Sequence, residues 1–106
     1  MSIAAFHDLA ALVDIPADGT ISRTIYQDSA IKAVLFGFAA GQELSEHTSA
    51  MAATLQFVSG NAQVTLNGEQ IEAGPGTWIH LPPRLPHSVV ALTPVVMLLL
   101  LMKRTV

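Results

Sequence analysis

From Thr20 onward turn signals recur about every ten residues, and that spacing constrains this chain more than any other feature. The signals are Gln27-Asp28-Ser29, Ser59-Gly60-Asn61, Asn67-Gly68, Ala73-Gly74-Pro75-Gly76, Pro82-Pro83 and Thr93-Pro94. Between them lie short runs of strand length: Thr20 to Tyr26, Ile31 to Ala39, Leu55 to Val58, Ala62 to Leu66, a few residues around Ile71, Thr77 to Leu81, His87 to Ala91 and Val95 to Met102. Such turns leave no room for the crossover helices that parallel sheets need. Eight or more short strands in this pattern make an all-β sandwich or barrel. Gly41 to Ser45 reads as a loop.

The runs differ in their periodicity. In Ala62 to Leu66 apolar residues alternate with Gln63 and Thr65, the mark of a half-buried strand, and Asn67-Gly68 is a strong two-residue hairpin signal. Ile31 to Ala39 and Val95 to Met102 are apolar at nearly every position, so both their faces need cover. One face can fill the barrel. The chain is 51% apolar and only 12% charged, more apolar than one small core requires. A homodimer interface is the simplest cover for the second face, since each buried large side chain contributes roughly 1.5–3 kcal/mol. Residues 1–15 form the one helical pattern, with Phe6, Leu9, Ala10 and Val13 at helical spacing. Asp14 to Gly19 breaks it. The expected organisation is an N-terminal helical segment and linker over residues 1–19 and a barrel over 20–106.

Several function classes are excluded by composition. Net charge is −3 with five Lys plus Arg, which leaves no basic stripe for nucleic acid. With no Cys there is no disulfide framework, zinc-thiolate site or thiol nucleophile. The N-terminus lacks the basic and apolar regions of a signal peptide. The longest apolar run, Val95 to Met102, is far short of the roughly 20 residues a membrane helix needs. The expectation is a cytoplasmic protein with neither membrane nor nucleic-acid partners.

The stretch Gly76 to His87, G-T-W-I-H-L-P-P-R-L-P-H, concentrates the residues that can carry chemistry. Pro82-Pro83 ends the strand, because proline has no N–H for the ladder, and His87 opens the next one. Together with His47 it fits two short motifs. The first, G-x5-H-x-H-x(3–4)-E-x6-G, is met by Gly41, His47 and Gly60, with Ser49 in place of the second His and Ala53 in place of Glu. The second, G-x5-P-x-G-x2-H-x3-N, is met by Gly76, Pro82 and His87, with Arg84 in place of the second Gly and Ala91 in place of Asn. On these residues the chain resembles a small single-domain cupin from Ile31 to Met102. The resemblance implies a jelly-roll barrel, a double-stranded β-helix, with a short N-terminal helix. It also implies a metal centre of three His and one Glu, of which only His47 and His87 are present.

Two imidazoles can hold a divalent ion such as Zn, Fe, Ni or Mn, although catalytic zinc and iron sites normally have at least three protein ligands. Gln56, Glu43, Ser49 or water would have to supply the rest. His80 is the open case. If Ile79 and Leu81 fill the barrel, His80 and Trp78 point away from it, where a subunit interface would suit both. If the phase is reversed, His80 joins His47 and His87. Ser49, Met51, Leu55, Phe57 and Arg84 are the candidate pocket residues. Arg84 offers a planar fork for a ligand carboxylate or phosphate, or else is a solvated loop residue. Three functions fit: a small-molecule-binding barrel that can hold a metal on His47 and His87, a metal-dependent oxygenase or isomerase acting on a small organic acid or ketone, and a non-catalytic dimer with a degenerate metal site.

Overall fold

The computed structural model describes residues 3–103 and resolves the turn spacing into nine strands. They are β1 (Thr20–Gln27), β2 (Ile31–Phe38), β3 (Glu43–His47), β4 (Ala53–Ser59), β5 (Ala62–Leu66), β6 (Glu69–Ala73), β7 (Trp78–Leu81), β8 (His87–Ala91) and β9 (Val95–Met102). All pairings are antiparallel. One sheet has the order β1-β2-β9-β4-β7 and the other β3-β8-β5-β6. After β2 consecutive strands alternate between the sheets except at the β5–β6 hairpin, so the chain winds as a jelly roll.

Alternation sets what lies between the sheets. Leu55 and Phe57 of β4, Ile79 and Leu81 of β7, Val64 of β5, Val89 of β8 and Met97 of β9 meet in one buried cluster. Phe36 and Phe38 stack there with ring centroids 5.6 Å apart. The β5–β6 hairpin turns on Asn67 (φ +49°) and Gly68 (φ +84°), the positive dihedrals of a type I′ turn. The β4–β5 turn runs hard against the β8–β9 connection. A Cβ on Gly60, whose φ is +82°, would stand 1.9 Å from the Pro94 carbonyl oxygen, so only glycine fits. At the β1–β2 turn the Asp28 carboxylate accepts from the Ala30 and Ile31 N–H groups and from the Tyr26 hydroxyl. Those bonds hold its pKa below the ordinary value.

Two expectations need adjustment. The N-terminal helix is a 3-10 turn of four residues, Leu9–Leu12, and the chain around it is extended. Asp8 makes no side-chain cap, and a single turn has too little cooperativity to propagate in water. The segment instead lies across the outer face of the five-stranded sheet. There Val13 with Leu35 and Val96 forms a second buried cluster, and Leu9, Leu12 and Ile15 pack against it. The stretch read as a loop at Gly41–Ser45 gives way to a strand from Glu43 onward. Four of the five residues of β3 are polar and it lies at a sheet edge, so no apolar rhythm announces it.

Candidate functional site

His47 ends β3 and His87 begins β8, and the two are cross-strand partners. Simple alternation would not bring them together. Leu44 pairs with Val89 and packs against the interior, and a residue three positions further along an even strand points the other way. The register shifts between Leu44 and His47. This bulge turns His47 onto the face that carries His87, the re-aiming that edge bulges provide.

The two rings are held in the same manner. The Nδ1–H of His47 donates to the Ser45 carbonyl at 2.7 Å, and the Nδ1–H of His87 donates to the Leu85 carbonyl at 2.9 Å. A carbonyl oxygen only accepts, so each Nδ1 carries a proton, and the neutral form of either ring has its bare nitrogen at Nε2. The ring centroids are 4.2 Å apart and the planes are tilted by 59°. His87 is 5% exposed and His47 is open to solvent. No buried side-chain nitrogen or oxygen among the described residues lacks a partner. Burial lowers the His87 pKa, the Leu85 hydrogen bond partly opposes this, and the neighbouring His47 lowers it further. Both features keep the ring neutral and ready to accept or to ligate.

The proline corner sets the position of His87. β7 stops at Leu81, Pro82 and Pro83 follow, and the Leu85 N–H closes a turn onto the Pro82 carbonyl at 3.3 Å. Arg84 has φ +67°, a left-handed backbone where the motif has glycine. Its N–H donates to the Ser49 carbonyl at 2.7 Å, which ties the corner to the loop leaving His47.

The remaining candidates are spread around the fold. His80 is not brought to the pair. Ile79 and Leu81 fill the interior, which leaves His80 and Trp78 exposed on the outside of β7. Gln56, opposite Trp78, is likewise on the outer face. Glu43 is exposed, one position out of phase with Leu44. Leu55 and Phe57 are fully buried in the core between the sheets. Ser49 and Met51 lie in the loop after His47, where the Met51 N–H donates to the Ser49 Oγ at 3.1 Å. Arg84 is exposed at the corner. Ala53 is buried and inward-facing on β4 and brings no donor atom.

Two bare Nε2 atoms, each on a ring oriented by a backbone carbonyl, are the donor chemistry of a divalent transition metal. Among the described residues no cluster of three His, Cys, Asp or Glu could hold an ion. The fit is therefore to an ion held by two protein ligands, with its other positions left to water or a bound molecule. Sequence reasoning found both histidines but missed β3, its bulge and the two orienting carbonyls. The carbonyls carry no side-chain signal, and a bulge is defined only by its partner strand.

Comparison with known proteins bears on the fold more than on the chemistry. The cupin domain family matches residues 34–102. A conserved protein of unknown function from Streptococcus pyogenes is 30% identical, with the match covering 100% of this chain and 93% of that one at a TM-score of 0.87. A cupin superfamily protein from Desulfitobacterium hafniense superposes at a TM-score of 0.88 over 98% of this chain and 95% of that one, at 20% identity. KdgF from Halomonas sp. is 25% identical, with 82% of each chain covered and a TM-score of 0.76. No curated protein sequence matches significantly.

Proposed function

The chain belongs to the cupin domain family, and from that premise we propose that it is a binding cupin, which holds a small oxygen-bearing molecule at His47 and His87 together with an exchangeable divalent metal. The observation that carries this reading is the matched pair of rings. Each is oriented with Nδ1–H on a carbonyl two residues upstream, which leaves an Nε2 acceptor on each of two neighbouring rings. A lone structural histidine needs no such arrangement, and a matched pair of acceptors suits a shared ligand. A divalent ion there would supply Lewis-acid polarisation to a bound carbonyl or carboxylate. With two protein ligands most of the coordination sphere is left open, which favours a chelating organic acid over water alone. Arg84, three residues before His87 in the rigid corner, offers a guanidinium for a carboxylate on the same molecule.

Turnover as an oxygenase or isomerase would ask for a firmer centre. Three protein ligands are the norm for catalytic zinc and for oxygen-activating iron, and Ser49 and Ala53 stand where a second His and a Glu would. The donor set thus supports binding ahead of catalysis.

Titration of the untagged protein with cobalt(II), followed by its absorption spectrum and by calorimetry, tests the reading. The expected result is one ion per chain, lost in both His47→Ala and His87→Ala and kept in His80→Ala. No saturable uptake, or uptake that survives in the double variant, would overturn it.

A further inference from the structure

Strands β2, β9, β4 and β7 hold a single Asp, Glu, Lys or Arg between them, and it is Lys32. It stands on the inner face. Lys32 is in phase with Phe36 and Phe38 and pairs with Leu101, and all three of these pack in or against the interior cluster. Charged side chains are rarely placed inward without something to meet.

The connections show what Lys32 meets. β2 joins β3 through residues 39–42, β4 joins β5 through Gly60 and Asn61, β6 joins β7 through residues 74–77, and β8 joins β9 through residues 92–94. Each crosses from one sheet to the other. Links this short leave the joined strands face to face, and the two sheet orders then match strand for strand: β2 over β3, β9 over β8, β4 over β5, β7 over β6. The start of β2 therefore lies over the end of β3, and the end of β9 over the start of β8. Lys32 is set opposite His47, at the end of the barrel where Leu101 is set opposite His87. Stacked sheets lie about 10 Å apart, which leaves room for a small molecule between an ammonium and the imidazoles. Lys32 is half-buried, as suits a stem laid along an apolar wall with its charged head at the opening.

The other charges near this end are already engaged. Asp28, the nearest carboxylate in sequence, accepts from Tyr26, Ala30 and Ile31, and the cation at that turn is Lys103, which donates to the Asp28 carbonyl at 2.9 Å. Arg23 is committed to the Leu12 carbonyl. Lys32 and Arg84 are the remaining described cations, and both stand at the histidine end, Arg84 in the corner before His87 and Lys32 across from it on β2.

We infer that Lys32 is a ligand-binding residue and that the acid held at His47 and His87 is a short dicarboxylate, an inference that rests on the binding function proposed above. One carboxylate, with a neighbouring hydroxyl or carbonyl, lies on the histidine side beside Arg84. The second reaches across the opening to the Lys32 ammonium in a charge-assisted hydrogen bond. A monocarboxylate leaves Lys32 unmet.

Malate and lactate share a chelating 2-hydroxy acid and differ in the second carboxylate, so their affinities for the cobalt-loaded protein, measured by calorimetry, isolate this contact. Wild type should prefer malate by roughly ten- to a hundredfold, the range of a hydrogen bond to a charged group. The preference should vanish in Lys32→Met and return in Lys32→Arg, with circular dichroism to confirm that both fold. Labelling with acetic anhydride, read by mass spectrometry, gives a second measure on wild type alone: malate should protect Lys32 and leave Lys103 reactive. Equal affinities for the two acids in wild type, a malate preference kept in Lys32→Met, or a Lys32 that malate does not protect overturns the inference while ion binding at the histidine pair stands. Absence of cobalt uptake overturns the binding function itself, and this inference with it.

Discussion

The two sheets of this barrel share an interior, yet their outer faces are opposites. On the four-stranded sheet the outward positions on β5, β6 and β8 are Gln63, Thr65, Gln70, Glu72 and Ser88 with Val90 as the apolar exception, and Gln63 donates across the β5–β6 pair to Gln70 at 3.2 Å. That face is built for water. On the five-stranded sheet the corresponding positions on β2 and β9 are Leu35, Val96, Leu98 and Leu100. The difference lies in the strand periodicity. An alternating strand declares one wet face, and a strand apolar at both phases declares a second layer over it. Here that layer is partly the N-terminal segment, which packs on Leu35 and Val96 and is tethered where the Arg23 guanidinium donates to the Leu12 carbonyl at 2.9 Å.

If the second layer is a true core, substitutions on the two outer faces will differ sharply. Leu35→Ala should destabilise the protein by about 2–5 kcal/mol, as a buried leucine inside the barrel would. Thr65→Ala on the other face should stay within about 0.5 kcal/mol of wild type. Urea unfolding of the two variants measures both. Near-equal effects would break the contrast and make the N-terminal segment a loose cover.

A second contrast sets His87, on the inner side of the four-stranded sheet, against His80, on the outer side of the other. Folding places His87 where its charged form is disfavoured, so the unfolded chain holds a proton more tightly than the folded one. The contribution to stability is complete above the ordinary imidazole value of about pH 6.5. It is lost as pH falls below that value through the lowered folded one. Urea midpoints measured in chelator from pH 8 to pH 5 should therefore decline on the acid side in wild type and in His80→Gln. In His87→Gln the decline should flatten. An unchanged slope in His87→Gln would assign the acid sensitivity to another group.

How much of this was legible in the sequence follows from what is local and what is not. The limits of β5, β8 and β9 are set by nearby turn residues and could be read directly. His47 and His87 could be paired because two short motifs fix their distance from Gly41 and Gly76. The phase of His80 could not be read, because Trp78-Ile79-His80-Leu81 offers apolar residues to both sides. Pairing with β4, in which Leu55 lies opposite Ile79, is what decides it. β3 was hidden for the same reason. Its five residues have little strand character alone, and the bulge that brings His47 to His87 exists only against β8.

The finest test lies at the corner where the chain passes from one sheet to the other, between β7 and β8. Arg84 is held there at φ +67° by its N–H bond to Ser49, in the place where the family motif has glycine. A left-handed non-glycine backbone costs about 1–3 kcal/mol. Glycine would relieve that strain while adding about 0.4–1 kcal/mol of freedom to the unfolded chain. Arg84→Gly should therefore stabilise, by between about 0 and about 2.5 kcal/mol. Arg84→Ala keeps the strained backbone and removes only the guanidinium, so its stability should stay near that of wild type. The pair separates two reasons for an arginine here. If the side chain serves a bound acid, both variants should weaken ligand binding equally and leave cobalt uptake intact, with only the glycine variant gaining stability. If Arg84→Ala instead loses more stability than Arg84→Gly gains, the guanidinium is holding the corner itself, and the junction of the sheets rather than the ligand explains the residue.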